Sequence, residues 1–401
     1  MSHDPNSTAV VMSAPAIPED EVRLCLLAIT KHGVAQVLAL ARDLPQADIC
    51  TSAKFAQACK DVPNRLHVYE GALSAEMGGL FARYDQLICF ISLGAVVRLL
   101  APHLKSKDED PGVTVVDDAG QFVIPVLSGH IGAANQWSER VADLLGATAV
   151  LTTASDVGKT IAVDILGRHL GWRVESPKIN ITRVSAHVVN GEPVAVVQEA
   201  GSPNWWTRPT PLPANIALLS RFSQVQPDKH KAVLWITHAS VAPAVWQQWH
   251  ERLVVYRPPL APDVRIAVGL GCDRGTPLAT LQQALNQALA QAGAQPSQVA
   301  AVASITLKAD EPALLALAHE LGWQLVFYTP EQLAGVPVPN PSEVVRQYTG
   351  TPSVSEAAAL LVGGRTASTA LSADLLLVEK FKHKGADGKN ATVSIARIPH
   401  D

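Results

Sequence analysis

Apolar residues along this chain form short unbroken runs, separated by stretches in which apolar positions recur at helical spacing. Up to about residue 156 the runs predict strands over 22–29, 66–69, 87–91, 113–116, 122–127 and 149–151, and the periodic stretches predict helices over 33–42, 74–84, 95–104 and 132–145. Such alternation predicts an open, mostly parallel sheet flanked by helices. Ligands in sheets of this kind bind beyond the carboxyl ends of the strands, where loop 128–130 is expected.

The region 157–262 has a different texture. It is richer in Pro and holds Trp172, Trp205, Trp206, Trp235, Trp246 and Trp249. Strands are predicted over 193–198, 232–236 and 253–256, with a loop over 201–213 whose Trp205-Trp206 pair either pins it to a core or stacks on a flat ligand. The run Arg257-Pro-Pro-Leu-Ala-Pro-Asp263 reads as a linker. A fresh α/β pattern follows, with strands over 264–270, 300–305, 324–328, 374–379 and 392–398. Helices are predicted from Pro277 to about residue 292 and over 312–321 and 355–361, with Thr276 as N-cap of the first. The organisation expected is a disordered tail over 1–20 and domains over 21–156, 157–262 and 263–401. It is α/β throughout: open, mostly parallel sheets flanked by helices, in two larger α/β domains joined through a smaller middle α/β domain.

Composition narrows the function. The 401 residues carry 32 Lys and Arg against 36 Asp and Glu, a formal net charge of −4. No basic field is available for nucleic acid or an anionic membrane, so neither is expected as a partner. The first 20 residues contain Asp4, Glu19 and Asp20 without Lys or Arg, unlike a signal peptide. No apolar run reaches the roughly 18 residues of a membrane span. Cys25, Cys50, Cys59, Cys89 and Cys272 are odd in number and lack C-x-x-C spacing, which suits buried reduced thiols and a cytoplasmic location.

Candidate chemistry centres on Phe122-Val-Ile-Pro-Val-Leu-Ser-Gly-His-Ile-Gly-Ala-Ala-Asn135. A strand that stops at Gly and hands over to a helix presents unpaired backbone N–H groups, which favour an anion or a developing oxyanion. His130 beside them can move a proton near neutral pH. Ser128 reads as a nucleophile or a helix cap. Two nucleotide-site imitations fail. Gly158-Lys159-Thr160 has Thr153 where a P-loop requires Gly, and in Gly269-Leu-Gly271-Cys-Asp-Arg-Gly275 the third Gly falls one position late, with Arg274 in its place. The 13 His show no helical pair beside a carboxylate, so no metal site is expected.

Several segments together carry a resemblance. Leu93-Gly-Ala-Val-Val-Arg98, Asp110-Pro111, Val115-Val-Asp117, Leu127-Ser-Gly-His-Ile-Gly-Ala-Ala-Asn135 and Thr152-Thr-Ala-Ser-Asp156 occur in order in the first part. Gly269 to Gly275, Thr306-Leu-Lys-Ala-Asp-Glu311, Asn340-Pro-Ser342, Val354 to Ala359 and a Lys-rich tail occur in the last. The chain resembles the cobalt-precorrin-5A hydrolase family of anaerobic cobalamin (vitamin B12) biosynthesis, over nearly all of its length after residue 21.

The resemblance implies a hydrolase acting on a cobalt-bearing contracted tetrapyrrole. Water opens a δ-lactone and a two-carbon fragment leaves as acetaldehyde, giving cobalt-precorrin-5B. Cobalt then belongs to the substrate, and no cofactor of the protein is expected. Residue chemistry assigns His130 as general base, oriented by Asp117 or Glu70, with amides around Gly129 and Gly132 as oxyanion donors. The macrocycle's carboxylates would meet Arg98, Lys105, Arg274, Lys308, Lys380 and Lys389. Gly94, Asn135, Thr153, Asp156, Gly271 and Asn340 complete the expected binding set. Transient contact with other enzymes of the pathway is expected. The last domain alone resembles small cobalamin-pathway proteins, so a non-catalytic corrinoid escort is the alternative.

Overall fold

The computed structural model describes residues 10–12, 20–239 and 241–399. Its first element is a short strand, β1 (Val10–Met12), which forms the edge of a sheet built later in the chain. Part of the tail expected over 1–20 is thus paired in a sheet; residues 1–9 and 13–19 lie outside the described residues.

Seven strands build the first sheet: β2 (Leu24–Ala28), β3 (Asp48–Ser52), β4 (Leu66–Tyr69), β5 (Gln86–Phe90), β6 (Gly112–Val116), β7 (Phe122–Leu127) and β8 (Thr148–Ala149). Their order is β4-β3-β2-β5-β6-β7-β8, and the first five in that order are parallel. Val37, Leu40, Trp137 and Val141 cover one face from helices Lys31–Ala41 and Ala134–Leu145. Met77, Leu80, Val96 and Leu100 cover the other from helices Leu73–Arg83 and Leu93–Leu100. Burial on both faces is why β2 and β5 read as unbroken apolar runs. The sequence pattern did not predict β3, because its buried Thr51 interrupts the run; the Thr51 hydroxyl is satisfied by donating to Ala28 O at 2.9 Å.

β7 departs from the parallel pattern. Only residues 117–121 join it to β6, too few for a crossover, so it turns back antiparallel. Its carboxyl end, and the turn after it, therefore lie at the edge where β2, β5 and β6 begin. The expectation that loop 128–130 sits beyond the carboxyl ends of the parallel strands is corrected by this reversal.

The second sheet contains β9 (Arg173–Pro177), β10 (Val194–Gln198), β11 (Ile216–Leu219), β12 (Ala232–Ile236) and β13 (Leu253–Arg257), in the order β1-β9-β13-β12-β10-β11. Strands β10 to β13 are parallel, while β9 and β1 run antiparallel at one side. The third contains β14 (Arg265–Cys272), β15 (Val299–Ile305), β16 (Leu325–Tyr328), β17 (Leu376–Lys384) and β18 (Asn390–Ile398), in the order β16-β15-β14-β18-β17. The fold is α/β, with three mostly parallel mixed sheets flanked by helices. No helix of the described residues is long and apolar enough to cross a membrane.

Three local readings are corrected. Arg257, read as linker, ends β13 and is 2% exposed, paired with Glu175. Thr276 does not cap helix Leu278–Ala292, because its hydroxyl donates back to Asp273 O at 2.9 Å. Lys380, beyond the strand predicted over 374–379, stands within β17.

Candidate active site

Between β7 and helix Ala134–Leu145 the chain turns with two non-glycine residues in the left-handed region, Ser128 (φ 52°) and Ala133 (φ 60°). Each costs on the order of 1–2 kcal/mol, so the surroundings must hold the backbone in place. The amides of Ala134 and Asn135 donate to Ser128 O and Gly129 O at 3.3 and 3.0 Å. The Gln86 side-chain amide donates to Gly132 O. Arg168 Nη1 donates to Ile131 O at 2.6 Å and to His130 O at 3.3 Å. Glycine is required at two positions by space. A Cβ at 129 would lie 2.5 Å from Asn135 Oδ1, and one at 132 would lie 2.5 Å from Ser128 Cβ. The amides of Gly129, His130, Ile131 and Gly132 donate to no atom of the described residues.

The turn carries His130 into a cluster of acids. Nδ1 is 3.0 Å from Asp164 Oδ1, and Nε2 is 3.1 Å from Ser155 Oγ and 3.3 Å from Asp156 Oδ2. Ser155 and Asp156 stand on the short helix Ala154–Val157 that follows β8. Asn135 Nδ2 donates to Asp156 Oδ2 at 2.7 Å and to Thr153 Oγ1 at 2.6 Å, and Arg208 Nη2 donates to Asp156 Oδ1 at 2.7 Å. Asp164 is positioned by its neighbours in the chain. Ile161, Val163 and Leu166 bury in the core of the second sheet, and the Tyr256 hydroxyl on β13 donates to Val163 O at 2.7 Å.

Burial opposes charge on the His130 ring, which is 13% exposed, but the hydrogen-bonded carboxylates of Asp156 and Asp164 outweigh it and raise the ring to about 9. The His130 hydrogen bond, helped by Arg208 and Asn135 against the cost of burial, holds Asp156 well below the usual carboxylate range. Asp164 is lowered as well: burial pushes it up, and the hydrogen bond and charge of His130 prevail. The ring raised in this way favours the imidazolium form between its two carboxylates. That form gives a proton, whereas the expected general base would take one.

His130 opens onto a cleft of about 1730 Å³, well above the roughly 300–1,000 Å³ of a small-ligand pocket. The first unit contributes Gln86, Lys105, Lys107, Trp137 and residues 129–133. The second contributes Asp164, Arg168, Trp172, Trp206 and Arg208. Trp205 is 5% exposed with Nε1 donating to Gln198 Oε1 at 2.9 Å, and Trp206 packs against the same core; both indoles border the cleft.

Of the residues expected at the site, His130, Gly129, Gly132, Asn135, Asp156 and Lys105 line this cleft, and Thr153 joins them through Asn135. The Ser128 hydroxyl is buried without a hydrogen-bond partner among the described residues and caps nothing, since Ala133 is the N-cap. Glu70, Gly94 and Asp117 follow the carboxyl ends of β4, β5 and β6, the edge of the sheet away from the turn. Glu70 is exposed there, and Arg98 Nη1 donates to Gly94 O at 2.7 Å. Asp117 instead closes the hairpin into β7, accepting from Gln121 N at 2.7 Å and Phe122 N at 2.6 Å. The residues orienting the imidazole are therefore Asp164 and Asp156.

The remaining anchors lie on the third unit and do not line the cleft. Gly271 is in β14, where a Cβ would lie 2.5 Å from Thr392 Oγ1. Arg274 pairs with Asp310 at 2.5 Å, Lys308 lies 3.7 Å from buried Glu311, and Lys389 Nζ donates to Arg274 O at 2.8 Å. Lys380 Nζ donates to Asn340 O at 2.9 Å in a separate hollow. Gly158-Lys159-Thr160 follows the helix Ala154–Val157 instead of heading one, as a P-loop would.

Sequence reasoning did not single out Asp164, Arg168, Ser155 or Arg208. The available signal for Asp164 was a lone acid inside the apolar run Ile161 to Leu166.

Comparison with known proteins adds identity to this geometry. Family models described as "Cobalamin synthesis G N-terminal", "Cobalamin biosynthesis central region" and "Cobalamin synthesis G C-terminus" match residues 76–156, 161–258 and 266–396. The chain is 41% identical to the cobalt-precorrin-5A hydrolase of Priestia megaterium over 94% of its own length and 95% of the relative's. Against the Salmonella typhimurium protein of the same name the identity is 30%, over 90% and 95%. It is also 40% identical to Protein CobE of Sinorhizobium sp, over 29% of this chain and 72% of that one. Similarity at this level along almost the whole length of both chains means that the protein belongs to the cobalt-precorrin-5A hydrolase family.

Proposed function

We propose that this protein opens the δ-lactone of cobalt-precorrin-5A with water and releases the two-carbon fragment as acetaldehyde, leaving cobalt-precorrin-5B. The observation that carries the reading at the level of chemistry is the ring of His130, held between Asp156 and Asp164 on the wall of a large cleft.

A water molecule attacks the lactone carbonyl and passes its proton to Asp156, the cleft carboxylate on the Nε2 side of the ring. The unpaired amides of the turn over 129–132 receive the oxyanion. As the ring carbon–oxygen bond breaks, His130 gives its proton to the departing oxygen. Asp156 then returns a proton to His130 across the 3.3 Å between Oδ2 and Nε2, which resets the pair. Positioned proton transfer of this kind contributes about 10²–10⁴-fold. The alcohol so formed loses its proton, its carbon–carbon bond to the macrocycle breaks to give the aldehyde, and the macrocycle takes up the electron pair with a proton.

Asp164 stands at Nδ1, on the other side of the ring from Asp156, where it fixes the ring and keeps it charged. The cobalt is cargo of the substrate. The enzyme works in the cytoplasm, in passing contact with the enzymes before and after it. The test is to supply cobalt-precorrin-5A anaerobically and measure aldehyde and corrinoid mass together. Aldehyde with the matching loss of mass from the corrinoid is expected. Corrinoid binding with no aldehyde above an enzyme-free control would reject the hydrolase and favour the escort.

A further inference from the structure

The guanidinium groups around the cleft differ in how fully they are occupied. Arg23 is engaged by Asp85, and Arg168 spends Nη1 on the carbonyls of His130 and Ile131. Arg208 meets Asp156 Oδ1 through Nη2 alone, with a longer 3.5 Å approach of the same nitrogen to Ser155 O. Its Nη1 and Nε donate to no atom of the described residues. The side chain is 29% exposed, lines the cleft and lies 6.0 Å from the Trp206 ring centroid. A planar fork with open donors beside the reacting groups is suited to a carboxylate.

Resting on the hydrolase reading, we infer that Arg208 is a shared counter-ion: it pairs with Asp156 in the free enzyme and turns to a side-chain carboxylate of the bound corrinoid, which leaves Asp156 free to take the proton of water. Arg208, His130 and Asn135 all face Asp156, with the Glu139 carboxylate nearby and Asp164, Lys107 and Arg168 behind the ring. While Arg208 and His130 both hold Asp156, it is a poor base. Losing one of two cationic partners raises its proton affinity, so substrate binding and activation of water are joined through one residue.

Two measurements test this on the full chain. The first is affinity for a cobalt corrinoid with free side-chain carboxylates against the same corrinoid with those carboxylates amidated. The wild type is expected to favour the free acid by about tenfold or more, as a charge-assisted hydrogen bond allows. Arg208→Gln should abolish the preference and Arg208→Lys restore part of it. The second is the acid limb of the pH profile. The limb of kcat reports the bound enzyme and that of kcat/KM the free enzyme. The kcat limb should lie at higher pH in the wild type, and the two should coincide in Arg208→Gln. Equal preference in wild type and Arg208→Gln, or coincident limbs in an active wild type, would overturn this role for Arg208 and leave the hydrolase reading standing. A wild type that binds corrinoid without turning over cobalt-precorrin-5A would remove both.

Discussion

Replacing Asp164 with Asn isolates charge from shape. The amide can still accept from Nδ1–H of His130, where the carboxylate stands at 3.0 Å, so the ring keeps its orientation while losing one of its two counter-ions. The ring is raised from 6.5 to about 9, a gap worth about 3 kcal/mol at roughly 1.4 kcal/mol per pH unit. Burial works in the opposite direction, so the two carboxylates together supply more than that gap. Removing one should therefore lower the His130 midpoint by at least about one pH unit. The direct assay is an NMR titration of the His130 ring proton in wild type and Asp164→Asn. Stability moves with it. A raised folded-state value contributes stability that is complete below about 6.5 and lost as pH rises through about 9, so wild type should weaken across that window and Asp164→Asn should weaken less. The basic limb of kcat/KM should shift down with the midpoint. A wild-type ring titrating near 6.5, or a midpoint that Asp164→Asn leaves in place, would refute the reasoning.

Two further changes separate the parts of the site. Arg168→Ala removes the donor that holds Ile131 O and His130 O, and should cost about 1–3 kcal/mol in chemical denaturation with kcat falling more than KM rises; unchanged kcat would mean that the turn holds itself. Asp117→Ala takes away the acceptor for Gln121 N and Phe122 N, and should lower stability by about 1–2 kcal/mol while the His130 titration stays where it is. A shifted titration would restore Asp117 as a partner of the ring.

The legible and illegible parts of this protein have physical causes. The β7-to-helix turn was readable because an apolar strand running into two glycines fixes both where the ladder stops and where backbone donors are left open. The edge on which it falls was also written in the chain, since residues 117–121 allow only a hairpin, yet the expectation that this strand follows the mostly parallel pattern placed the turn at the opposite edge. β9 was missed because its inward positions alternate Val174 with Ser176, whose buried hydroxyl accepts from Val255 N at 2.9 Å, so it shows no apolar run. Asp164 reaches His130, and Arg208 reaches Asp156, only through the packing of the second sheet against the first unit. No local periodicity encodes a contact between residues 34 positions apart in one case, or between Arg208 and Asp156, 52 apart, in the other.

The central claim is that the imidazolium at the head of this cleft moves the proton that opens the lactone. His130→Gln tests it most directly, with anaerobic cobalt-precorrin-5A as substrate and both acetaldehyde release and corrinoid affinity followed. The account predicts aldehyde release lower by about 10²-fold or more, with affinity within a few-fold of wild type. Release near the wild-type rate by a folded His130→Gln protein would contradict it.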